Sequence, residues 1–166
     1  MTITTLSSTP TLPSTPSTPS ASSTSSTSSA APASRGAAIR LRPTRWLRGA
    51  WLVDAAGSAV TGLGMLVLST TLAASTGLAA AFLVGSALLF APYVALLLIL
   101  ARRQTVSHSA AAWPVVLNAA WGALCIGVAA TQGPTALGLA FLTVHAVWGL
   151  GFAAVQLAGL RRSPAA

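Results

Sequence analysis

Few side chains in this sequence can move a proton, attack an electrophile or hold a metal. It has a single carboxylate, Asp54, no glutamate, two histidines (His108 and His145), one cysteine (Cys125) and one tyrosine (Tyr93). Paired carboxylates for general acid–base work are absent, and so is any cluster of metal-ligand types at ligand spacing. Cys125 lies alone inside an apolar run, forms no intrachain disulfide and reads as a small packed residue. The glycines are scattered through apolar segments rather than gathered behind a strand, so there is no phosphate-binding loop. An enzyme is the least favoured class, and no cofactor or metal is expected.

What remains is Asp54, in the stretch "WLVDAAGSAVTGLGMLV", together with Tyr93, Asn118, Gln156 and His145, all inside apolar runs. Those runs define the protein. Of its 166 residues 54 % are hydrophobic and 6 % charged, and the mean hydropathy is +0.75. A soluble domain carries roughly 25 % charged residues, so the solvent for most of this chain is lipid. From Trp46 onward there are four apolar runs, each long enough for the ~20 residues of a bilayer span, and helices are predicted over about 47–72, 78–101, 111–131 and 135–160. The breaks "AASTG", "RRQTVSHSA" and "QGP" are short and carry turn residues. Together they predict an all-α integral membrane fold: an antiparallel up-down four-helix bundle over 46–162 with a short tail at 163–166.

Residues 1–34 are Ser, Thr, Pro and Ala with little else. Such a segment has no apolar area to offset the entropy of ordering, so a disordered leader is expected over 1–45, ending in an arginine-rich juxtamembrane stretch. A glycosylated stalk also fits the composition. It would need the N-terminus outside, which the arginines oppose. A secretory signal is not indicated, because the charged stretch begins only at Arg35 and the apolar run behind it is too long.

The net charge of +8 and pI of about 12.0 raise the question of a nucleic-acid partner. The positions of the charges answer it. Arg35, Arg40, Arg42, Arg45 and Arg48 precede the first run, Arg102 and Arg103 follow the second, and Arg161 and Arg162 follow the fourth. Cations at the ends of apolar runs anchor helices at anionic headgroups and set orientation. Arg45, Arg48, Arg102, Arg103, Arg161 and Arg162 are therefore read as interface anchors. The expectation is a multi-pass protein of the cytoplasmic membrane, N-in and C-in, with anionic lipid rather than nucleic acid as partner. Trp46, Trp51 and Trp113 fall near the same interface, whereas Trp121 and Trp148 lie deeper and read as packing residues.

On a helical wheel Asp54 shares a face with Ala50, Gly57, Ser58, Thr61 and Met65, opposite Leu52, Val60, Leu63 and Val67. Small residues suit a helix interface and bulky aliphatics suit lipid, so Asp54 is expected to point inward. Gly138, Leu142, His145, Gly149, Phe152 and Gln156 form a similar stripe in the fourth span. At 1.5 Å per residue Asp54 lies ~9 Å above Arg48, Asn118 ~11 Å above Ala111, Tyr93 ~14 Å above Arg102 and Gln156 ~8 Å above Arg161. Each span thus contributes one polar residue to a common layer. His145 lies ~24 Å above Arg161 and is a secondary candidate, too far from Asp54 for a Ser–His–Asp site. A faint repeat accompanies the layer: "LVDAAG" and "VLNAAWG" open the two hairpins, placing Asp54 and Asn118 in matching positions.

The segments "VDAAGSAVTGLG", "GSALLFAPYVALLLILARR", "VLNAAWG" and "AAVQLAGLRR" give residues 46–162 a resemblance to a group of small bacterial four-span integral membrane proteins. That resemblance implies a cytoplasmic-membrane protein and carries no activity. The small multidrug transporters share only the count of four helices and one acid in the first, and their acid sits deeper. The expected function is a non-enzymatic bundle that associates with itself or with another membrane protein through its Gly/Ala faces. The alternative is a small transporter or proton-coupled carrier using Asp54, Tyr93, Asn118 and Gln156.

Overall fold

The computed structural model describes residues 39–166, so residues 1–38 of the leader expected over 1–45 lie outside the described residues, and its last part carries the strand β1. The described chain is helical apart from two short strands. In order it runs β1 (Arg40–Leu41), α1 (Arg45–Val67), α2 (Ser69–Thr76), α3 (Ala80–Arg102), β2 (Val106–Ser107), α4 (His108–Thr131) and α5 (Ala136–Arg161). α1, α3, α4 and α5 are long and apolar enough to cross a membrane. These are the features of a multi-pass membrane protein.

Helix starts follow local capping chemistry. The hydroxyls of Thr44, Ser107 and Thr135 accept from the N–H groups of Leu47, Ala110 and Gly138, three residues on in each case. A short side-chain acceptor there satisfies one of the N–H groups a helix start leaves without a partner. The first span is not continuous to residue 72 as expected. Leu68 stands at φ −103 and ψ 16, which closes α1 and opens the eight-residue α2. Gly62 and Gly64 before the break and Ser69, Thr70 and Thr71 after it are all weak helix formers, so little resists the change of direction. Gly77, at φ +72, ends α2 in the left-handed conformation that glycine adopts without strain.

Two connections meet at one end of the molecule. The N–H of Thr135 donates to Thr76 O (3.0 Å) and its hydroxyl to Ser75 O (2.8 Å). At the other end three segments are tied together. β1 pairs antiparallel with β2, Arg40 opposite Ser107 and Leu41 opposite Val106. The C-terminal residues join them, with Arg42 N–H donating to Pro164 O and Ala166 N–H to Arg40 O. The strand pair was not expected from the sequence, since two-residue strands leave no periodicity to read.

α1 packs chiefly on α3 and α4 on α5, while α1 and α5 join the two pairs. The core forms two apolar clusters. One gathers Leu47, Trp51, Leu97, Leu100, Ala111 and Leu160 near the arginines. The other gathers Met65, Leu83, Ala87, Cys125, Leu142 and Ala146 toward the far end. The buried face of α1 is Leu47, Trp51, Asp54, Ala55, Ser58, Gly62 and Met65, rotated slightly from the expected stripe, so that Gly57 and Thr61 stand at its margin. Trp51 accounts for the rotation. It is fully buried rather than an interface anchor, and the largest side chain of α1 takes the centre of the packed face. Trp46 and Trp113 are exposed.

Candidate functional site

Between the two apolar clusters lies a polar layer to which each long helix contributes one residue. Asp54 of α1 is fully buried, as is Gln156 of α5, and Asn118 of α4 is 5 % exposed. Tyr93 of α3 is half-buried. One carboxylate oxygen, Oδ2 of Asp54, accepts from Tyr93 Oη at 2.5 Å, Asn118 Nδ2 at 2.7 Å and Gln156 Nε2 at 2.7 Å. Ser58, one turn on from Asp54, donates a longer bond to Oδ1 at 3.4 Å. Asn118 Nδ2 also donates to Tyr93 Oη at 2.7 Å and, weakly, to Gln156 Oε1 at 3.4 Å. The phenol therefore donates to Asp54 while accepting from the Asn118 amide, and the three side chains close a ring of hydrogen bonds.

Local sequence explains how these side chains reach one another. In α3 Pro92 immediately precedes Tyr93 and removes the N–H that would bond the carbonyl four residues back, loosening the helix beside the phenol. Between α4 and α5, Gly149 brings the backbones together. A Cβ there would lie 2.9 Å from Asn118 O. This close approach sits at the level of Asn118 and leaves the two amides of the layer within reach of one carboxylate.

The four residues expected to share a layer, Asp54, Tyr93, Asn118 and Gln156, are thus brought into direct contact, and Ser58 is the member that the sequence reading placed on the right face without assigning to the layer. His145 stands apart. Its Nδ1 lies 2.7 Å from Phe141 O, and its ring packs against Phe141 and Trp121. The arginines are at the tied end: Arg48 donates to Arg103 O (2.9 Å), Arg162 lies 5.8 Å from the Trp46 ring centroid, and Arg45, Arg102, Arg103, Arg161 and Arg162 are exposed. A guanidinium over an indole adds a modest attraction at an exposed site.

A carboxylate surrounded by two hydroxyls and two amides is a hydrogen-bonding junction. Each donor comes from neutral protein, and the short bonds converge on one oxygen, which suits an acceptor bearing charge density. Fold and layer together define a polytopic α-helical membrane protein whose spans are joined through a buried acid. No family model, curated protein or solved structure matches the chain.

Proposed function

We propose that the protein is a non-enzymatic four-span bundle of the cytoplasmic membrane that associates with a second copy or with another membrane protein. The observation that carries this reading is the use of Asp54. An acid inside a membrane costs roughly 2.5–3.5 kcal/mol at a helix centre, and here its oxygens are engaged by donors from all four spans. A carrier working through the same residues would need Asp54 to exchange those partners for water or substrate. Complete burial beneath four donors favours the structural reading.

The spans run up and down in antiparallel order in this reading, with the arginine-bearing, strand-tied end facing the cytoplasm and both termini inside. Single cysteines in a Cys125→Ala background test it. Residues introduced at Ala74 and Gln132 should react with an impermeant maleimide added to intact cells, and one at Gln104 only after permeabilisation. The reverse pattern overturns the orientation.

Association is supported by the outer face of α4, where Ala120, Ala123, Gly127 and Ala130 are exposed at helical spacing and nothing lies within 4 Å of a Cβ at Gly127. Small residues let a neighbouring helix approach closely in lipid. Native mass spectrometry from membranes should show a dimer or a defined partner complex. Gly127→Leu should weaken it about tenfold, equivalent to ~1.4 kcal/mol, while leaving the monomer's thermal stability unchanged. A parent protein that is monomeric and partnerless in native membranes removes the proposal.

A further inference from the structure

Side-chain hydroxyls in apolar helices normally return to their own backbone, because lipid offers no other partner. Ser86, Thr131 and Thr143 do so, each donating to the carbonyl four residues back. Thr61 of α1 makes no hydrogen bond among the described residues. Two acceptors nearby are similarly free. Asn118 commits Nδ2 to the polar layer, but its Oδ1 accepts from no described residue. His145 Nδ1 faces the Phe141 carbonyl, which can only accept, so Nδ1 carries the hydrogen and Nε2 of the neutral ring is an acceptor.

These three residues line one cavity of about 580 Å³, bounded by α1, α4, α5 and Phe90 of α3. Its walls are aromatic and aliphatic, Phe90, Trp121, Trp148, Val53, Val60 and Val144, and it opens toward the lipid where the three valines are exposed. Trp148 lies directly over the bare backbone of Gly57, where a Cβ would come within 2.6 Å of the indole, so the glycine sets the width of the chamber. The volume is in the ordinary range for a small-molecule site, and the pattern of an apolar chamber with a few convergent polar atoms is the usual one. The lining has no charged side chain. Of its polar groups without a partner among the described residues, Asn118 Oδ1 and His145 Nε2 can only accept, the Thr61 hydroxyl can do both, and the indole N–H groups of Trp121 and Trp148 can only donate.

We propose that this cavity binds a small, uncharged, flat apolar molecule that carries an O–H or N–H donor, such as a phenol or an aromatic amine. The aromatic walls take the body, and the donor is received by Asn118 Oδ1 or His145 Nε2 with Thr61 beside it. An anion finds no cation here, and a plain hydrocarbon leaves the acceptors unmet. The site differs from the polar layer in purpose. Asp54 is consumed in holding helices together, whereas Asn118 belongs to both, with its Nδ2 bonded in the layer and the residue in the cavity lining.

The test uses para-fluorophenol and fluorobenzene, followed by fluorine NMR with the full-length protein in lipid nanodiscs and with empty nanodiscs as the partitioning control. The phenol should show saturable one-site binding, and fluorobenzene should bind at least about tenfold more weakly. His145→Phe and Thr61→Val should each weaken the phenol about fivefold and leave fluorobenzene unchanged. Signals indistinguishable from empty nanodiscs overturn the proposal. So does equal affinity for the two probes, the behaviour of a groove for lipid acyl chains. Two folded variants that bind the phenol like the parent also overturn it. The probe comparison on the unsubstituted protein decides the matter even if a variant fails to fold.

Discussion

Replacing Asp54 by alanine is expected to destabilise the bundle by about 2–4 kcal/mol, measured by unfolding in mixed micelles. The substitution leaves Tyr93 Oη, Asn118 Nδ2 and Gln156 Nε2 without the oxygen they share. Interhelical hydrogen bonds in membranes are worth on average ~0.6 kcal/mol and at most ~1.7, while a buried donor left unmet costs about 1–3 kcal/mol. The amides can turn and the phenol can rotate, so the three losses are not simply additive. Asp54→Asn should be milder, about 1–2 kcal/mol, because it keeps the shape and one acceptor but places an NH₂ among donors. Coupling is the sharper measurement. Tyr93→Phe should cost about 0.5–1 kcal/mol in the parent and clearly less in the Asp54→Ala background, since the interaction is already gone. An Asp54→Asn protein as stable as its parent would remove the junction reading.

The second large effect is expected at Gly138, in the first turn of α5. A Cβ there would fall on the carbonyl oxygen of Thr76 and lie 2.9 Å from Pro134 Cβ. The obstacle is backbone, so no change of rotamer relieves it. That carbonyl is also pinned: it accepts from Thr135 N–H, and the Thr76 hydroxyl donates to Leu72 O at 2.5 Å. Gly138→Ala should therefore cost about 2–3 kcal/mol, the usual range for overpacking, and a valine should abolish accumulation of folded protein. Gly85→Ala is the matched comparison. Nothing lies within 4 Å of a Cβ at Gly85, and alanine is favoured over glycine in a helix by up to ~1 kcal/mol, so that variant should be as stable as the parent or more so. Equal effects at the two positions would mean that α5 does not seat against the α2–α3 turn as described.

Much of this was legible from residue type and position. The apolar runs are long and interrupted by turn residues, so the four spans follow from length alone. The polar layer was legible because a fixed rise per residue converts distance from an arginine into depth, and Asp54, Tyr93, Asn118 and Gln156 come out close together. The break at Leu68 was hidden because no proline or charged residue marks it and Leu72 closes the apolar run only four residues later. Trp51 was misread because a tryptophan one turn inside an arginine looks like an interface anchor, and only its packing against Leu47, Leu97 and Leu160 shows otherwise. The tie among β1, β2 and the last residues had no signal at all. It depends on three segments far apart in the chain meeting at one end, and two-residue strands are below anything periodicity detects.

The order in which the junction's members occur in the chain has a consequence for biosynthesis. Asp54 is made first. Tyr93 follows 39 residues later, Asn118 after 64 and Gln156 after 102. At ~5–20 residues per second the final partner reaches the ribosome's exit some 5–20 seconds after the acid. During that interval α3 offers the carboxylate only Tyr93, so Asp54 is expected to keep water as a partner until the amides arrive. A ribosome stalled before Gln156 should therefore leave the first span more accessible to water-borne reagents than it is in the completed chain.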